Sequence, residues 1–367
     1  MALAIYRKYR PKKLEEILGQ KTVVEILKNA GRLDKISHAY LFYGPRGSGK
    51  TTAARVLAKI ANCETRAKDE KFKKTGEPCN QCRPCVEIDE NRALDVVEID
   101  AASNRGIDEI RDIKEGLKLA PSSYRYKVFI IDEVHQLTKE AFNALLKTLE
   151  EPPSHVIFIL ATTEYDKLPA TIVSRTQRFN FRRLSVMKIL EKLKAIAAIE
   201  KWKISDDALE LIAASSEGSF RDAESLLEQV IAFGNGLDLK AVEQILGKVN
   251  FSTTSGLAEK LLKGDLSAAL EFLTGINEAG YNLVQLNRDL IHYLRKVLVL
   301  RYDSKMEKIF DQEMTSDELK ILKDHSKLCQ PEKHLLLLKS LIRAYTEMRY
   351  SPFAIVPLEV AIIENLK

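Results

Sequence analysis

The eight residues Gly44-Pro-Arg-Gly-Ser-Gly-Lys-Thr51 constrain this chain of 367 residues more than any other stretch. They match the phosphate-binding loop, in which a glycine and four further residues precede Gly-Lys-Thr. Glycines let successive backbone N–H groups approach phosphate oxygens without Cβ clashes, at the positive N-terminal end of a helix. Lys50 supplies a point charge for the β and γ phosphates, and the Thr51 hydroxyl supplies a ligand for Mg²⁺.

The sequence on both sides of this loop is what a phosphate-binding loop requires. Residues 40–43, Tyr-Leu-Phe-Tyr, form a short apolar run of strand character. Residues 51–58 contain helix formers at helical spacing. Because strand, loop and helix follow one another, we interpret the stretch as a nucleotide site and not as a chance glycine-rich turn.

A second apolar strand ends in two carboxylates, Asp132 and Glu133. This is the pattern of a Walker B element, and its pairing with an upstream phosphate-binding loop makes the pattern specific. We expect Asp132 to hold Mg²⁺ directly or through water. We expect Glu133 to orient and polarise the attacking water.

The order of the predicted elements indicates the fold. Strands alternate with helices up to about residue 181, which favours a wound parallel sheet with ligands at the carboxyl ends of its strands. Gly44, Asp132 and Thr163 all fall at such ends. Strand signals fade after residue 182. Residues 185–245 are typical of a small helical group, and leucine-rich helices continue from about residue 250.

Five cysteines are present, and four of them are grouped as Cys63 and then Cys79, Cys82 and Cys85. Four thiolates can close a tetrahedral zinc site, and with every position filled by cysteine such a site is structural. A redox Cys-x2-Cys pair or free thiols are the alternatives, but the thioredoxin-like unit typical of redox pairs is absent. Cys329 lies in a helical region, where we expect a small core or surface residue.

Composition excludes few functions. The chain is 45% hydrophobic and 30% charged, and its net charge of +5 is too small to indicate nucleic acid by itself. The N-terminus has no apolar stretch of signal-peptide length, and no apolar run approaches the length of a membrane span. We therefore expect a cytoplasmic protein without a membrane partner.

The sequence alone does not decide the roles of two segments. Residues 6–20 are either a solvated basic arm or a segment that packs over the nucleotide base through residues such as Tyr9 and Leu18. Asn104 and Arg105 follow a strand and precede a predicted helix that begins at Ile107. They can meet a phosphate backbone, although the residues by themselves favour an ordinary strand-to-helix loop with a helix cap.

Several motifs together resemble the AAA+ ATPases, and more closely the bacterial DNA polymerase III gamma/tau family, the motor of the sliding-clamp loader. The resemblance extends over the whole chain and is most specific in residues 6–222. The motifs that carry it are residues 6–20, the four-cysteine insertion, Ile131–His135, Leu145–Pro153, Leu160–Thr163, Ser174–Thr176 and Gly218–Arg221.

The resemblance implies ATP, Mg²⁺ and structural Zn²⁺ as ligands. The implied catalytic residues are Lys50, Asp132, Glu133, Thr163, Arg175 and Arg221. The implied ATP contacts are Tyr9, Arg10, Leu18, Gly44, Pro45, Arg46, Gly47, Ser48, Gly49, Lys50, Thr51, Thr52 and Arg221. Thr51 and Asp132 would hold magnesium, and the four grouped cysteines would hold zinc.

Further roles follow from the resemblance. Thr163 would be the first sensor, and Arg221 the second sensor, in the helical lid. Arg175 would act as an arginine finger in a neighbouring subunit, a contribution typically worth about 10³ to 10⁵ in rate. Asn104 and Arg105 would lie near DNA. The implied partners are other clamp-loader subunits of the delta and delta-prime type, copies of this chain, the sliding clamp and primed DNA.

The resemblance also implies a domain division. Residues 1–181 would form the nucleotide-binding domain, with a zinc-binding insertion at 63–85. Residues 182–246 would form a lid, and residues 247–367 an oligomerisation collar. Two departures from the family pattern stand out. Thr176 replaces the usual cysteine after the finger arginine, and the stretch between Cys63 and Cys79 is longer than the family pattern and rich in lysine.

The function predicted from the sequence is therefore an ATPase that opens a ring-shaped clamp and loads it on primed DNA. Another AAA+ machine, such as a branch-migration motor or an unfoldase, is the first alternative. An unfoldase would carry an aromatic pore loop, and a branch-migration motor would not carry the cysteine insertion. A non-hydrolysing structural subunit of the same loader is the second alternative. Such a subunit has no reason to keep Lys50, Asp132 and Glu133 together.

Overall fold

The computed structural model of the chain divides into two compact units, residues 1–237 and residues 238–367. It describes residues 4–104, 106, 115–117, 119–234, 236–245, 251–311, 314 and 316–367.

A sheet of five strands forms the centre of the first unit. The strands are β1 (Ala39–Tyr43), β2 (Val96–Asp100), β3 (Lys127–Asp132), β4 (Val156–Thr162) and β5 (Gln177–Asn180). Their spatial order is β2-β3-β4-β1-β5, and every neighbouring pair is parallel. The predicted wound parallel sheet is therefore confirmed.

Helices cover this sheet and continue into the lid. They are α1 (Ile5–Lys8), α2 (Lys21–Arg32), α3 (Lys50–Asn62), α4 (Glu64–Lys68), α5 (Glu70–Lys73), α6 (Arg83–Asp89), α7 (Lys139–Glu150), α8 (Ala170–Val173), α9 (Val186–Glu200), α10 (Asp206–Ser215) and α11 (Phe220–Ala232). Short 3₁₀ helices span Leu14–Glu16, Val134–Gln136 and Tyr165–Lys167.

Alternation along the strands divides the core of the first unit between the two faces of the sheet. Tyr40 and Phe42 point to one face, where they join buried residues of α2 and α3. Ala39 and Leu41 point to the other face, where they join buried residues of α7. Successive strand residues face opposite sides, so a strand covered on both faces reads as a continuous apolar run. β4 is buried along its whole length for this reason.

Parallel pairing brings the carboxyl ends of the strands to one edge of the sheet. Tyr43 of β1 lies beside Thr162 of β4, and Asp100 of β2 lies beside Asp132 of β3. The loops that follow these strands therefore meet at the same edge, where open parallel sheets bind their ligands.

The second unit is helical in the part that the structure describes. Its helices are α12 (Leu239–Ile245), α13 (Phe251–Lys263), α14 (Leu266–Glu278), α15 (Leu283–Tyr302), α16 (Glu307–Phe310), α17 (Ser316–Leu328), α18 (Pro331–Met348) and α19 (Ile355–Leu366). Leucines of α13, α15 and α18 form a single apolar core, and Cys329 is buried in it. The leucine-rich pattern of the sequence thus corresponds to core packing.

Candidate nucleotide and metal sites

The loop between β1 and α3 needs glycine at its bends. Gly44 and Gly47 have φ angles of 142° and 71°, which side chains rarely adopt. A Cβ atom on Gly44 would lie 2.1 Å from the carbonyl oxygen of Phe181, and one on Gly47 would lie 1.9 Å from Oγ of Ser219. The loop therefore fits tightly between the end of the sheet and the start of the lid helix α11.

Lys50 is buried, and its ammonium group faces the loop that precedes it. Nζ donates to the carbonyl oxygens of Gly44 at 2.8 Å and Pro45 at 2.9 Å. Burial lowers the pKa of Lys50, while Glu133 and Asp132 act in the opposite direction. A phosphate group would give this buried cation the opposite charge that it lacks at short range.

Thr51 and Asp132 meet at the edge of the sheet. The Thr51 hydroxyl donates to Oδ2 of Asp132 at 2.7 Å. A hydroxyl and a carboxylate oxygen are the hard ligands that Mg²⁺ prefers, and the ion normally keeps several waters and substrate phosphates as its other ligands. These two side chains therefore fit a magnesium ion at the place where the sequence predicts it.

Glu133 has a left-handed backbone with φ of 47° and ψ of 42°. This conformation costs a non-glycine residue about 1–3 kcal/mol and is concentrated at functional sites. Oε2 of Glu133 accepts hydrogen bonds from the backbone N–H of Thr163 at 3.1 Å and from its hydroxyl at 2.9 Å. The strained turn thus brings the predicted catalytic carboxylate to the predicted sensor.

His135 extends this network, and the sequence analysis assigned it no role. Its Nδ1 lies 2.9 Å from Oγ1 of Thr162 and 3.4 Å from Oε2 of Glu133. Its Nε2 lies 3.2 Å from Oε1 of Glu164. The signal in the sequence was its position two residues after Glu133, but only the parallel pairing of β3 and β4 brings the ring between these groups.

A cavity of about 380 Å³ opens beside the loop. Of the predicted residues, it is lined by Arg10, Leu18, Arg46, Gly47, Ser48, Gly49, Lys50, Thr51, Thr52, Asp132, Glu133 and Arg221. Its volume is within the range of ligand pockets. Tyr9 does not line it, because its hydroxyl donates to Glu200 of α9. Thr163, Gly44 and Pro45 lie in the adjoining cleft, together with Glu133.

The N-terminal helix α1 and the lid contribute further cavity residues that the sequence did not reveal. Tyr6 faces Arg221, whose guanidinium carbon lies 5.2 Å from the centre of the tyrosine ring. Lys192 of α9 lies 2.7 Å from Oε1 of Glu224 and 4.6 Å from the ring centre of Phe220. Burial raises the pKa of Glu224. The helical spacing of Phe220 and Glu224 placed them on one face, but their facing the cavity depends on tertiary packing.

Arg175 lies away from this cavity. It pairs with Glu150 of α7, with NH2 2.5 Å from the carboxylate, and its NH1 donates to the carbonyl oxygen of Thr171 at 2.9 Å. The side chain is about one-third exposed. A role of Arg175 in hydrolysis therefore requires a site on another molecule.

The four grouped cysteines come together in the structure. Their Sγ atoms all lie within 4.8 Å of one another, and Cys63 and Cys85 are buried. A tetrahedral zinc ion separates its sulfur ligands by roughly 3.8 Å, from a Zn–S distance of about 2.3 Å. The Sγ atoms of Cys82 and Cys63 are 3.9 Å apart. The residues thus fit the ion, and Cys63, which the long insertion separates from the others, is part of the cluster.

Hydrogen bonds favour the deprotonated form of two of the four sulfurs, those of Cys63 and Cys79. Backbone N–H groups of Cys79 and Cys82 donate to the sulfurs of Cys63 and Cys79. The hydrogen bond from Cys85 lowers the pKa of Cys63 to about 4, and the same contact raises the pKa of Cys85. A metal ion binds thiolates, so this arrangement suits a cation.

Asn104 lies in the loop after β2, where its Nδ2 donates to the carbonyl oxygen of Asp100 at 3.1 Å. Arg105 and the helix predicted from Ile107 lie outside the described residues. Among the residues that are described, no helix is both long and apolar enough to cross a membrane.

A parallel sheet, a phosphate-binding loop, paired carboxylates and a helical lid with a cavity-lining arginine define a P-loop NTPase of the AAA+ class. Three family models cover most of the chain. "DNA polymerase III, delta subunit" matches residues 19–185. "DNA polymerase III clamp loader subunit, ATPase lid domain" matches residues 188–236. "DNA polymerase III subunits gamma and tau domain III" matches residues 237–366.

Curated relatives agree with these family models. DNA polymerase III subunit tau of Bacillus subtilis is 41% identical over 98% of this chain and 62% of its own length. Subunit gamma of Buchnera aphidicola from Acyrthosiphon pisum is 36% identical over 97% of this chain and 96% of its own length. Subunit tau of Escherichia coli is 36% identical over 98% of this chain and 54% of its own length. The chain belongs to the DNA polymerase III gamma/tau subunit family.

The chain spans less than two thirds of the length of the Bacillus subtilis and Escherichia coli tau subunits. Among solved structures, the branch-migration motor RuvB of Thermotoga maritima is 22% identical with a TM-score of 0.48, over 69% of this chain and 79% of that chain. A similarity of that size does not bear on function.

Proposed function

We propose that this chain is the ATPase motor subunit of a bacterial replicative clamp loader, which opens the sliding clamp and loads it on primed DNA. The observation that carries the proposal is the hydrogen bond from Thr51 to Asp132 beside the buried Lys50. The loop, the lysine and the two magnesium ligands belong to one cavity, so they can hold a nucleoside triphosphate together.

Hydrolysis in this proposal depends on Glu133 and Thr163. Glu133 orients the attacking water and accepts its proton as the oxygen bonds to the γ-phosphorus, and Thr163 fixes the carboxylate through two hydrogen bonds. Lys50 leaves its carbonyl partners and pairs with the β and γ phosphates. Thr51 and Asp132 would hold a magnesium ion, which would neutralise charge on these phosphates.

The lid and a neighbouring subunit complete the proposed site. Arg221 lines the cavity from α11 and would contact the phosphates of the nucleotide in its own subunit. Arg175 does not line the nucleotide cavity of its own subunit. It would leave Glu150 and contact the γ-phosphate of the nucleotide bound in the adjoining subunit. Such a guanidinium supplied in trans stabilises the charge of the transition state.

We further propose a structural zinc ion bound by Cys63, Cys79, Cys82 and Cys85. All four ligands are sulfurs, which leaves no position for a reactive water and suits a cross-link in the fold. The ion would fix the insertion that follows the phosphate-binding helix α3.

The proposed partners are delta-type and delta-prime-type subunits, copies of this chain, the sliding clamp and primed DNA. Asn104 and Arg105 would lie near the DNA backbone. The proposed division into domains is residues 1–181 for nucleotide binding, 182–246 for the lid and 247–367 for the collar. Together these assignments describe a motor that works only within an assembly.

ATP hydrolysis measured with the clamp, the other loader subunits and primed DNA tests this proposal. We expect the wild-type rate to rise when clamp and primed DNA are both present, and Lys50→Ala to abolish the activity. Lys35→Ala, which removes an exposed lysine, serves as the control and should behave as wild type. A hydrolysis rate that is the same with and without clamp and DNA would contradict the clamp-loader proposal. The chain would then be described only as a generic AAA+ ATPase.

A further inference from the structure

The cysteine-bearing insertion contacts the segment that lines the nucleotide cavity through Glu77. This carboxylate is buried two residues before Cys79. Its two oxygens accept hydrogen bonds from the backbone N–H groups of Leu14 at 2.8 Å and Glu15 at 3.0 Å. Oε1 also lies 2.9 Å from Nζ of Lys28. Glu77 thus caps the 3₁₀ helix Leu14–Glu16 from outside that helix.

A second connection is Lys59, on the helix that begins in the phosphate-binding loop. Its side chain is 1% exposed, and Nζ reaches three acceptors. These are the carbonyl oxygen of Lys12 at 2.9 Å, Oδ1 of Asn80 at 2.8 Å and Oδ1 of Asp89 at 2.8 Å. An ammonium group has three donors, so Lys59 is fully used.

The acceptors of Lys59 lie on both sides of the cysteine cluster. Asn80 sits between Cys79 and Cys82 and has a left-handed backbone, with φ of 59°. Asp89 ends α6, the helix that contains Cys85. Cys63 directly follows α3, the helix that carries Lys59. One buried ammonium therefore joins the phosphate-binding helix, the N-terminal segment and the loop of the cysteine cluster.

The segment that Glu77 and Lys59 hold is part of the nucleotide cavity. Pro11, Glu16, Ile17 and Leu18 line the cavity next to the residues whose backbone is held. Gln20 fixes the other end of the segment, since its Nε2 donates to the carbonyl oxygen of Arg182 at 2.8 Å. The segment is thus fixed to the lid side at one end and to the cysteine insertion at the other.

We propose that Glu77 and Lys59 are positioning residues that hold residues 11–18 against the nucleotide, and that metal binding by the cysteine cluster therefore strengthens nucleotide binding. This inference rests on the proposed nucleotide and zinc sites. Without a metal ion the four sulfurs have no common centre, and the loop that bears Glu77 and Asn80 loses the cross-link that the four cysteines would form. The nucleotide must then order the segment itself, which costs affinity.

Thermodynamic linkage makes the effect reciprocal. If metal strengthens nucleotide binding by a given factor, nucleotide strengthens metal binding by the same factor. A coupling of this kind is commonly about 5- to 150-fold. At equilibrium with a competing chromogenic chelator, the wild-type chain should therefore keep more of its zinc when a non-hydrolysable ATP analogue is bound.

Two variants test the connecting residues in the full chain. Glu77→Gln places an amide N–H₂ against one of the two backbone donors and removes the charge facing Lys28. Lys59→Met removes all three contacts of the ammonium group. The matched controls are Glu70→Gln and Lys71→Met, which change exposed side chains of the same insertion.

We expect both variants to bind a fluorescent ATP analogue about 5- to 150-fold more weakly than wild type, while still binding one zinc ion per chain. We also expect the analogue to protect their zinc less than it protects wild-type zinc, and the two controls to match wild type. A residue that only stabilises the fold would not change this protection. The wild-type measurement needs no substitution and stands even if a variant does not fold.

The possible failures are distinct. A wild-type chain that binds no nucleotide would overturn the proposed function itself. A wild-type chain that binds nucleotide but keeps the same amount of zinc against the chelator with and without it would overturn this inference alone. Variants that keep wild-type nucleotide affinity, or a chain that binds nucleotide but no zinc, would overturn it as well.

Discussion

The Thr51 hydroxyl lies 2.7 Å from the Asp132 carboxylate, although 81 positions separate the two residues in the chain. The contact exists because β1 and β3 both end at the same edge of a parallel sheet. It places two oxygen atoms beside Lys50 that would bind a magnesium ion in the proposed site.

Thr51→Val should weaken the binding of Mg²⁺-nucleotide while leaving the fold intact, because valine keeps the shape of threonine and removes the ligand oxygen. The loss of a direct ligand should cost at least about 10-fold, the lower bound found for groups that only support metal ligands. Titration of a fluorescent nucleotide with and without Mg²⁺ measures it. Thr346→Val, an exposed position on α18, is the control, and equal losses in both variants would argue against a metal ligand.

Glu133→Gln should reduce ATP turnover by about 10²- to 10⁴-fold, the usual contribution of a positioned general base. Nucleotide affinity should stay near wild type, because a glutamine of the same size occupies the same place. Thr163→Val should cause a smaller loss and Thr163→Ser almost none, since serine keeps the hydroxyl that donates to Glu133. Steady-state kinetics and a binding titration separate the two effects. A weaker nucleotide affinity with unchanged turnover would assign Glu133 to binding instead.

Much of this site was predictable from the sequence, for physical reasons. The phosphate-binding loop and the Asp132–Glu133 pair are local patterns, and parallel strands bring their ends together whatever the intervening chain does. Contacts between distant side chains were not predictable. The pairs Lys192–Glu224 and Tyr9–Glu200 depend on how the lid helices pack, and no local pattern specifies them.

The cysteine cluster shows the same division. Spacing alone predicted a metal site at Cys79, Cys82 and Cys85. Cys63 was also predicted as a ligand, but the long insertion made its place in the set depend on a tertiary contact, in which its sulfur lies 3.9 Å from that of Cys82. The capping of residues 14–16 by Glu77 left no signal in the sequence, because a single glutamate in a charged insertion resembles an ordinary surface residue.

Zinc content should distinguish the four grouped cysteines from the fifth. Purified wild-type chain should contain one zinc ion, and Cys63→Ser and Cys85→Ser should each lose most of it. Cys329→Ser should keep the ion, because Cys329 lies in the separate core of the second unit. Elemental analysis by mass spectrometry provides the readout. Retention of zinc by Cys63→Ser would remove Cys63 from the ligand set.

Acid should destabilise the second unit through His325 and His334. Burial lowers the pKa of both rings below the usual 6.5, although Glu259 and Asp324 partly oppose this for His325. The unfolded chain then binds more protons than the folded one, so stability falls as pH drops below about 6.5. No such loss is expected above that pH, where both rings are neutral in either state.

Urea unfolding followed by circular dichroism, repeated between about pH 7.5 and pH 5, measures this dependence. The double variant His325→Gln and His334→Gln should flatten the fall of the midpoint with pH. His292→Gln, which changes an exposed histidine on α15, should not. An unchanged slope in the double variant would mean that other groups cause the acid sensitivity.

The most direct test of the central claim, an ATPase site completed by a neighbouring subunit of a clamp loader, is to mix two inactive variants. Lys50→Ala lacks the ammonium group that binds the phosphates in its own site. Arg175→Ala lacks the arginine finger for the neighbouring site. ATP turnover is measured for each variant alone and for their mixture, with the clamp, the other loader subunits and primed DNA. We predict little turnover from either variant alone and clear recovery in the mixture. The Arg175→Ala chain keeps Lys50, and a neighbouring Lys50→Ala chain can supply the intact Arg175 to its site. A mixture as inactive as its components, or full activity of Arg175→Ala alone, would contradict the account.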